Sequence, residues 1–391
     1  MELVPIYAGE TPPSAWRGSL FLAGPTPREA EILSWRPAAL ELIAEHFAAF
    51  PGRLVVFVPE LRSGLVANYD GQIAWEYRAM SSADVLLFWV PREMTRMPAL
   101  TTNVEFGRYE NSGRMVLGTP PNAPHTRYLR SFATGYAAPI CSYLSETVAA
   151  TAAMLGPGAE RAGGECEVPA LVWNTPVFQS WYGALRAAGN TLLGGRLLYV
   201  LRLREGQAIF AWLFRARIYL AAEDRIKEAQ MVFGRPDTSA VVAYLRKEPV
   251  LSTEVVLIRE FRAAVANEGG YVHELPGGSS ADPCLSPHEV AAAEFSQETG
   301  LSISPERLAF VSTRQAVATL SAHRQAVFAL ELSEAEMAQL RADQSAHGNA
   351  AGTERTYLEI ATLREILGHS DIDWSNAGAI SSVLLDEDRR L

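Results

Sequence analysis

The sequence predicts two α/β domains in series, a doubly wound parallel sheet followed by a strand-rich α+β sandwich. Three observations carry this reading. Through residues 1–155 short apolar runs alternate with segments of helical period, the pattern of βαβ units. From residue 166 onward the texture changes to longer runs rich in β-branched and aromatic residues, broken by two helical stretches. Between them, GPGAERAGGE at 156–165 has five Gly or Pro in ten residues and no periodicity, so it reads as a linker. The length of 391 residues suits two domains at roughly 100–200 residues each.

In the first domain SLFLAG (19–24) is a buried strand ending in a Gly-Pro turn, and residues 28–50 have helical spacing. The strand RLVVFVP (53–59), a helix over 72–80, the strand DVLLFWVP (84–91), a helix from about Asn103 and the strand RMVLG (114–118) follow. In such a sheet ligands sit at the carboxyl ends of the strands, here the turns after Gly24, Pro59 and Pro91. In the second domain the predicted strands are GRLLYVLRL (195–203), QAIFAWLFRARIYLAA (207–222), SAVVAYL (239–245), TEVVLIREF (253–261) and AVFALEL (326–332). One helix runs over 286–299, opened by a Ser-Pro cap, and another over 333–343.

Composition narrows the function. Apolar residues make up 48% and charged residues 20%, which excludes a disordered or fibrous chain. With 34 basic and 44 acidic side chains the net charge is -10, so a nucleic-acid backbone is not the expected partner. A phosphate-bearing ligand would have to be met by local Arg residues or main-chain amides. Three scattered cysteines fit a reducing compartment better than a disulfide framework. No export signal or membrane span is legible, and the expected location is the cytoplasm.

Polar residues of the first domain gather at the predicted strand ends. FLAGPTPR (21–28) puts Gly24 and Pro25 where a backbone approaches a ligand closely, then adds a hydroxyl and Arg28 at a helix start. YDGQIAWE (69–76) sets Gln72, Trp75 and Glu76 on one helical face. PALTTNVEFG (98–107) supplies Thr101, Thr102, Asn103 and Glu105 in a turn entering a helix. Two carboxylates from different elements, Glu76 and Glu105, facing one cleft suit glycosyl transfer: one attacks or stabilises the anomeric carbon and the other manages protons.

These motifs in this order resemble the nucleoside 2-deoxyribosyltransferase-like superfamily, with its related nucleotide N-glycosidases, over about residues 17–145. The resemblance implies a Rossmann-like fold, no cofactor, and Glu105 of VEFG as the nucleophile. It also implies an acidic residue on the helix before the third strand, contacting sugar or base; Glu76 holds that place, where many members carry Asp. Some transferases carry Asp before the nucleophile, whereas this chain has MPALTTN there. Thr101, Thr102 and Asn103 would then bond a sugar or phosphate and Arg28 a 5′-phosphate, favouring nucleotides or modified nucleosides. Related transferases share active sites between subunits, which implies a homo-oligomer.

In the second domain HELPGG (273–278) and the helix after it are the densest signal. Glu294 and Glu298, four residues apart, share a helix face and suit a hard divalent cation. The stretch resembles the Nudix box: Glu294, Phe295, Glu298, Gly300 and Leu301 fit, preceded by VVLIREFR and HELPGG. Leu285, Ala293 and Gln297 stand where the box has Glu, Arg and Glu, and there is one extra residue after Gly278. The resemblance covers about residues 170–380. It implies Mg²⁺ or Mn²⁺ on Glu294 and Glu298, held more weakly than in a complete box. Glu354 of GTERTY reads either as a solvated loop acid or as an extra base.

The leading expectation is therefore an N-glycosidase or 2-deoxyribosyltransferase acting on a nucleoside or nucleotide, fused to a degenerate Nudix-like domain that binds or weakly hydrolyses a nucleoside diphosphate derivative. Two alternatives stand beside it. One is a non-catalytic sensor of an ADP-ribose-like nucleotide. The other is a Mg²⁺-dependent Nudix pyrophosphohydrolase as the main activity.

Overall fold

The computed structural model describes residues 1–27, 31–62, 69–202, 209–280, 282, 284–348 and 354–385. Its contacts divide the chain into two compact units, Met1–Arg235 and Pro236–Leu391.

In the first unit the elements run β1 (Glu2–Tyr7), β2 (Ala15–Trp16), β3 (Gly18–Ala23), α1 (Arg36–His46), β4 (Arg53–Val58), α2 (Tyr69–Ser82), β5 (Val85–Trp89), α3 (Leu100–Tyr109), β6 (Met115–Gly118), α4 (Arg127–Gly135), β7 (Ile140–Cys141) and α5 (Leu144–Leu155). After them come β8 (Arg161–Ala162), α6 (Ala170–Trp173), α7 (Pro176–Ala187), β9 (Thr191–Arg202), β10 (Ile209–Leu220) and β11 (Arg225–Gly234). Six strands form one parallel sheet in the order β1-β4-β3-β5-β6-β7. Strands β3, β4, β5 and β6 are apolar along almost their whole length because both faces are covered. On one face Trp75, Met80, Phe106 and Leu129 from α2, α3 and α4 pack on Phe21, Phe57 and Phe88. On the other, Ala39, Ile43, Val148 and Leu155 from α1 and α5 pack on Leu22, Val56 and Leu87. From β3 the chain crosses to β4 on one side and then to β5 on the other, so the order reverses beside the ends of β3 and β5, the place where doubly wound sheets hold ligands.

Two expectations meet a different outcome here. The helix expected over 28–50 begins at Arg36, where Pro37 occupies the first turn and supplies the fixed φ that favours a helix start. Residues 28–30 lie outside the described set. The Gly and Pro rich stretch 156–165, read as a linker, is packed within the first unit. Gly156 and Gly158 (φ +60° and +61°) turn the chain out of α5, and β8 then pairs with β2. Strands β9, β10 and β11, an antiparallel meander, also belong to this unit. Phe178 of α7 stacks on Tyr182 and meets Trp212 and Phe214 edge-on.

In the second unit β12 (Thr238–Leu245), β13 (Glu254–Phe261), β14 (Tyr271–Glu274), β15 (Gly277–Gly278), α8 (Pro287–Thr299), β16 (Ala309–Arg314), β17 (Gln325–Glu331), α9 (Glu334–Ala342), β18 (Ala346–His347), β19 (Thr356–Thr362), α10 (Leu363–Gly368) and α11 (Trp374–Leu384) follow one another. The sheet runs β16-β17-β12-β13-β19-β18, with β14 on β13 and β15 on β12. Only β12 and β17 pair in parallel among these described strands. Phe295 of α8 and Met337 and Leu340 of α9 fill one face; Leu363, Ile366, Ile380 and Val383 of α10 and α11 fill the other. The Ser286-Pro287 start of α8 forms as expected: the Ser286 hydroxyl accepts the Glu289 N–H and the Glu289 carboxylate accepts from Ser286 in return. Among the described residues no helix is long and apolar enough to cross a membrane.

One ion pair ties 156–165 to the parallel sheet. Arg161 donates to both oxygens of Asp84 at 2.7 and 2.6 Å, with the two side chains 0% and 1% exposed. Asp84 also accepts from the Ser19 N–H, the Ser19 hydroxyl and the Ala170 N–H. Removing one partner strands a buried charge, so Asp84→Ala or Arg161→Ala should destabilise the fold by about 3–5 kcal/mol. Equilibrium denaturation in urea measures this loss.

Candidate active site

The site is built on the carboxyl ends of β3 and β5. At Gly24 (φ +155°) an added Cβ would stand 2.2 Å from the Trp89 carbonyl oxygen and 2.8 Å from the Trp35 ring. Glycine is therefore required by close approach of the two strand ends. Pro25, buried, fixes the turn, and its carbonyl accepts the Trp35 indole N–H at 3.1 Å.

Beneath this turn lies Arg36, 1% exposed. Its guanidinium donates to the carbonyls of Leu22 (3.2 Å) and Gly24 (2.8 Å), to the Thr26 hydroxyl (3.0 Å) and to Glu60 (2.6 Å). It thus ties the end of β3 to the segment after β4. Burial disfavours its charge, while Glu60, Glu105 and Glu76 hold the charge in place. Sequence reasoning passed over Arg36 and Glu60. The Trp-Arg-Pro triplet that opens α1 was the available signal, since Pro37 places Arg36 at the helix start.

Glu76 on α2 and Glu105 on α3 face this cation, and Glu105 feels the charge of Glu76. Burial pushes the Glu105 carboxyl up to about 7, the negative Glu76 pushes in the same direction, and Arg36 opposes both. Burial also raises Glu76, against a hydrogen bond from the Gln72 amide (2.8 Å) and the Arg36 charge. Gln72 thus orients Glu76, and its own Oε1 is buried with no hydrogen-bond partner. A carboxyl near 7 exchanges its proton at neutral pH, and two carboxyls with different surroundings can take different roles.

The remaining predicted residues divide. Thr102 is buried on α3. Asn103 is exposed, and its Oδ1 accepts from Arg92, whose other nitrogen donates to the His125 carbonyl. The helix starts at Leu100, so Asn103 stands a full turn inside it; the chain enters through Ala99 at φ +56°. A non-glycine residue held there is strained, a feature common at functional sites. Trp75 is a packing residue: its ring is buried against Phe57 and its indole donates to the Glu10 carbonyl at 2.9 Å. Arg28 lies outside the described residues.

In the second unit a different set of carboxylates converges. Carboxylate oxygens of Glu260 on β13, Glu298 on α8 and Glu354 just before β19 all lie within 4.8 Å of one another. Glu298 is 1% exposed and is pushed up to about 9, first by burial and then by Glu294, Glu354 and Glu260, against the Gly277 N–H that it accepts at 2.8 Å. Glu294 is raised as well, by burial and by Glu354. Glu260 has Arg262 at 2.8 Å, yet its Oε2 is buried outside hydrogen-bond geometry. Gly277 and Gly278 allow close approach: a Cβ on the first would meet the Ser239 carbonyl at 2.2 Å, and on the second the Glu294 carboxyl at 2.6 Å. Four carboxylates so placed repel one another, and a hard divalent cation relieves that repulsion. Glu260 escaped sequence reasoning because it lies on a strand outside the helix motif.

A family model described as nucleoside 2-deoxyribosyltransferase like matches residues 17–123. That span holds Gly24, Arg36, Glu76 and Glu105, and it suggests a nucleoside-processing glycosyl transferase or hydrolase. No curated protein matches the chain.

The raised Glu105 pKa also sets a stability signature. Its folded value, about 7, exceeds the ordinary 4.5, so the protonated form favours folding below pH 4.5 and this contribution is lost as pH rises through 7. Glu105→Gln should therefore be close to neutral at pH 4 and stabilise the chain by about 1–3 kcal/mol at pH 8. Denaturant unfolding at the two pH values measures the difference.

Proposed function

We propose that the first unit cleaves the N-glycosidic bond of a nucleoside or nucleotide through a covalent glycosyl intermediate on Glu105. The observation that carries this reading is the pair of half-buried carboxyls, Glu105 raised to about 7 beside Glu76, over the buried Arg36 at the reversal point of the sheet. In the first step the ionised Glu105 oxygen forms a bond to the anomeric carbon as the carbon–nitrogen bond to the base breaks. The departing base takes its proton from solvent, while the negative Glu76 faces the positive charge that develops on the sugar. In the second step Glu76 takes a proton from the attacking water or acceptor base as that nucleophile bonds to the anomeric carbon, the bond to Glu105 breaks, and Glu76 returns the proton to solvent. Arg36 touches neither partner. It holds the Gly24 turn and keeps the two acids from both being neutral.

For the second unit we propose a divalent-cation site of Nudix type, with Mg²⁺ or Mn²⁺ on Glu298, Glu294, Glu260 and Glu354. The convergence of carboxylates from α8, β13 and the approach to β19 supports it. A nucleoside diphosphate derivative is the ligand this site would take, whether for hydrolysis or for sensing.

Incubation with a panel of nucleosides, nucleotides and dinucleotides, read as free base by chromatography, tests the first unit. Glu105→Ala should lower base release by about 10³-fold or more with the fold retained. Survival of more than a few per cent of activity would remove Glu105 from the nucleophile role. The ionised form attacks, so kcat/KM should fall as pH drops below about 7. Glu76→Gln removes the like charge and should move that acidic limb to lower pH while slowing turnover. For the second unit, Mn²⁺ titration followed by electron paramagnetic resonance should show binding that Glu298→Gln weakens by at least about tenfold.

A further inference from the structure

His273, His369 and Asp371 lie in the second unit and take no part in the carboxylate cluster. One donor atom from each comes within 4.8 Å of the others. A tetrahedral ion with bonds of about 2.0–2.2 Å needs donors roughly 3.4 Å apart, so shifts of about 1 Å at the side-chain ends complete the set. The two imidazole rings have centroids 4.6 Å apart and are tilted by 49°.

The donor set has the support that metal-binding histidines require. Nδ1 of His273 contacts the Glu359 carboxylate, which is itself paired with Arg259. A carboxylate on Nδ1 fixes the proton there and leaves Nε2 as the ligand atom. His369 presents Nδ1 as an acceptor, taking the Asp371 N–H at 3.1 Å, and a metal ion exchanges that bond for a coordinate bond.

The segments that carry the three residues are held by main-chain ties. The His273 N–H donates to the Asp371 carbonyl at 3.1 Å, and the Leu275 N–H donates to the Asn376 side chain at 3.1 Å. Asp373 caps α11 directly after the cluster. The positions are thus set by β14 and by the turn between α10 and α11, not by free side chains.

We propose that His273, His369 and Asp371 form a binding site for a first-row transition-metal ion of zinc type, separate from the carboxylate cluster. Two imidazoles and one carboxylate favour Zn²⁺ and its neighbours, whereas an all-carboxylate set favours Mg²⁺ or Mn²⁺. Three protein ligands leave a fourth position for water. Glu359 is a positioning residue that acts through His273. The site does not depend on the glycosidase reading of the first unit.

Cobalt tests it, because Co²⁺ in such a site gives a visible d–d absorption. The full chain, free of appended histidines and treated with chelator, should bind one Co²⁺ with that spectrum, and Zn²⁺ should displace it. His369→Gln, at an exposed position that leaves folding intact, should weaken binding by about 100-fold, and Glu359→Gln by about 10–100-fold. Glu298→Gln should leave the cobalt spectrum unchanged. Absence of a saturable spectrum would overturn the proposal. So would a spectrum that survives His369→Gln and His273→Gln combined, or one that disappears with Glu298→Gln.

Discussion

A buried positive charge governs the first unit. Arg36 lies at the start of α1, sealed from water, and its donors hold Leu22, Gly24, Thr26 and Glu60 together. Burying a guanidinium is unfavourable unless each of its donors is used and a counter-charge is near. The carbonyls that end β3 and the Glu60 carboxylate meet both needs. Once the cation is fixed, Glu76 and Glu105 are held in its field, and that field limits how far burial raises them. The geometry of the Gly24 turn and the acidity of the two carboxyls thus have one origin.

The second unit solves the opposite problem. Glu294, Glu298, Glu260 and Glu354 crowd one region with Arg262 beside Glu260, and burial of Glu298 is offset in part by a single main-chain N–H from Gly277. Like charges held that closely are unfavourable unless they are protonated or share a cation. Glycine at 277 and 278 permits the arrangement, since side chains there would displace the Ser239 backbone and the Glu294 carboxyl.

Much of the architecture was legible in the residues. The apolar runs at 19–24, 53–59, 84–91 and 114–118 coincide with β3, β4, β5 and β6, because a strand covered on both faces has to be apolar throughout. Ser286-Pro287 opened a helix because capping is a local interaction. Trp75 shows the limit: its spacing set it on a face with Gln72 and Glu76, but only packing could tell that its ring turns toward Phe57. The Gly and Pro content of 156–165 marked a turn correctly in local terms. That the turn returns to the sheet depends on Arg161 meeting Asp84, 77 residues earlier.

By itself the sequence determined the central strands of the parallel sheet and the Ser286 cap, and it singled out the acids at 76, 105, 294 and 298 as candidates, because each of these follows from neighbours a few residues apart. Tertiary structure alone decided which charges meet. Arg36 pairs with Glu60 and acts on Glu76 and Glu105 through its charge, Glu298 meets Glu260 and Glu354, and His273 meets His369, Asp371 and Glu359. Those meetings are set by sheet order and by which strand ends lie side by side, and periodicity along one segment contains no information about either.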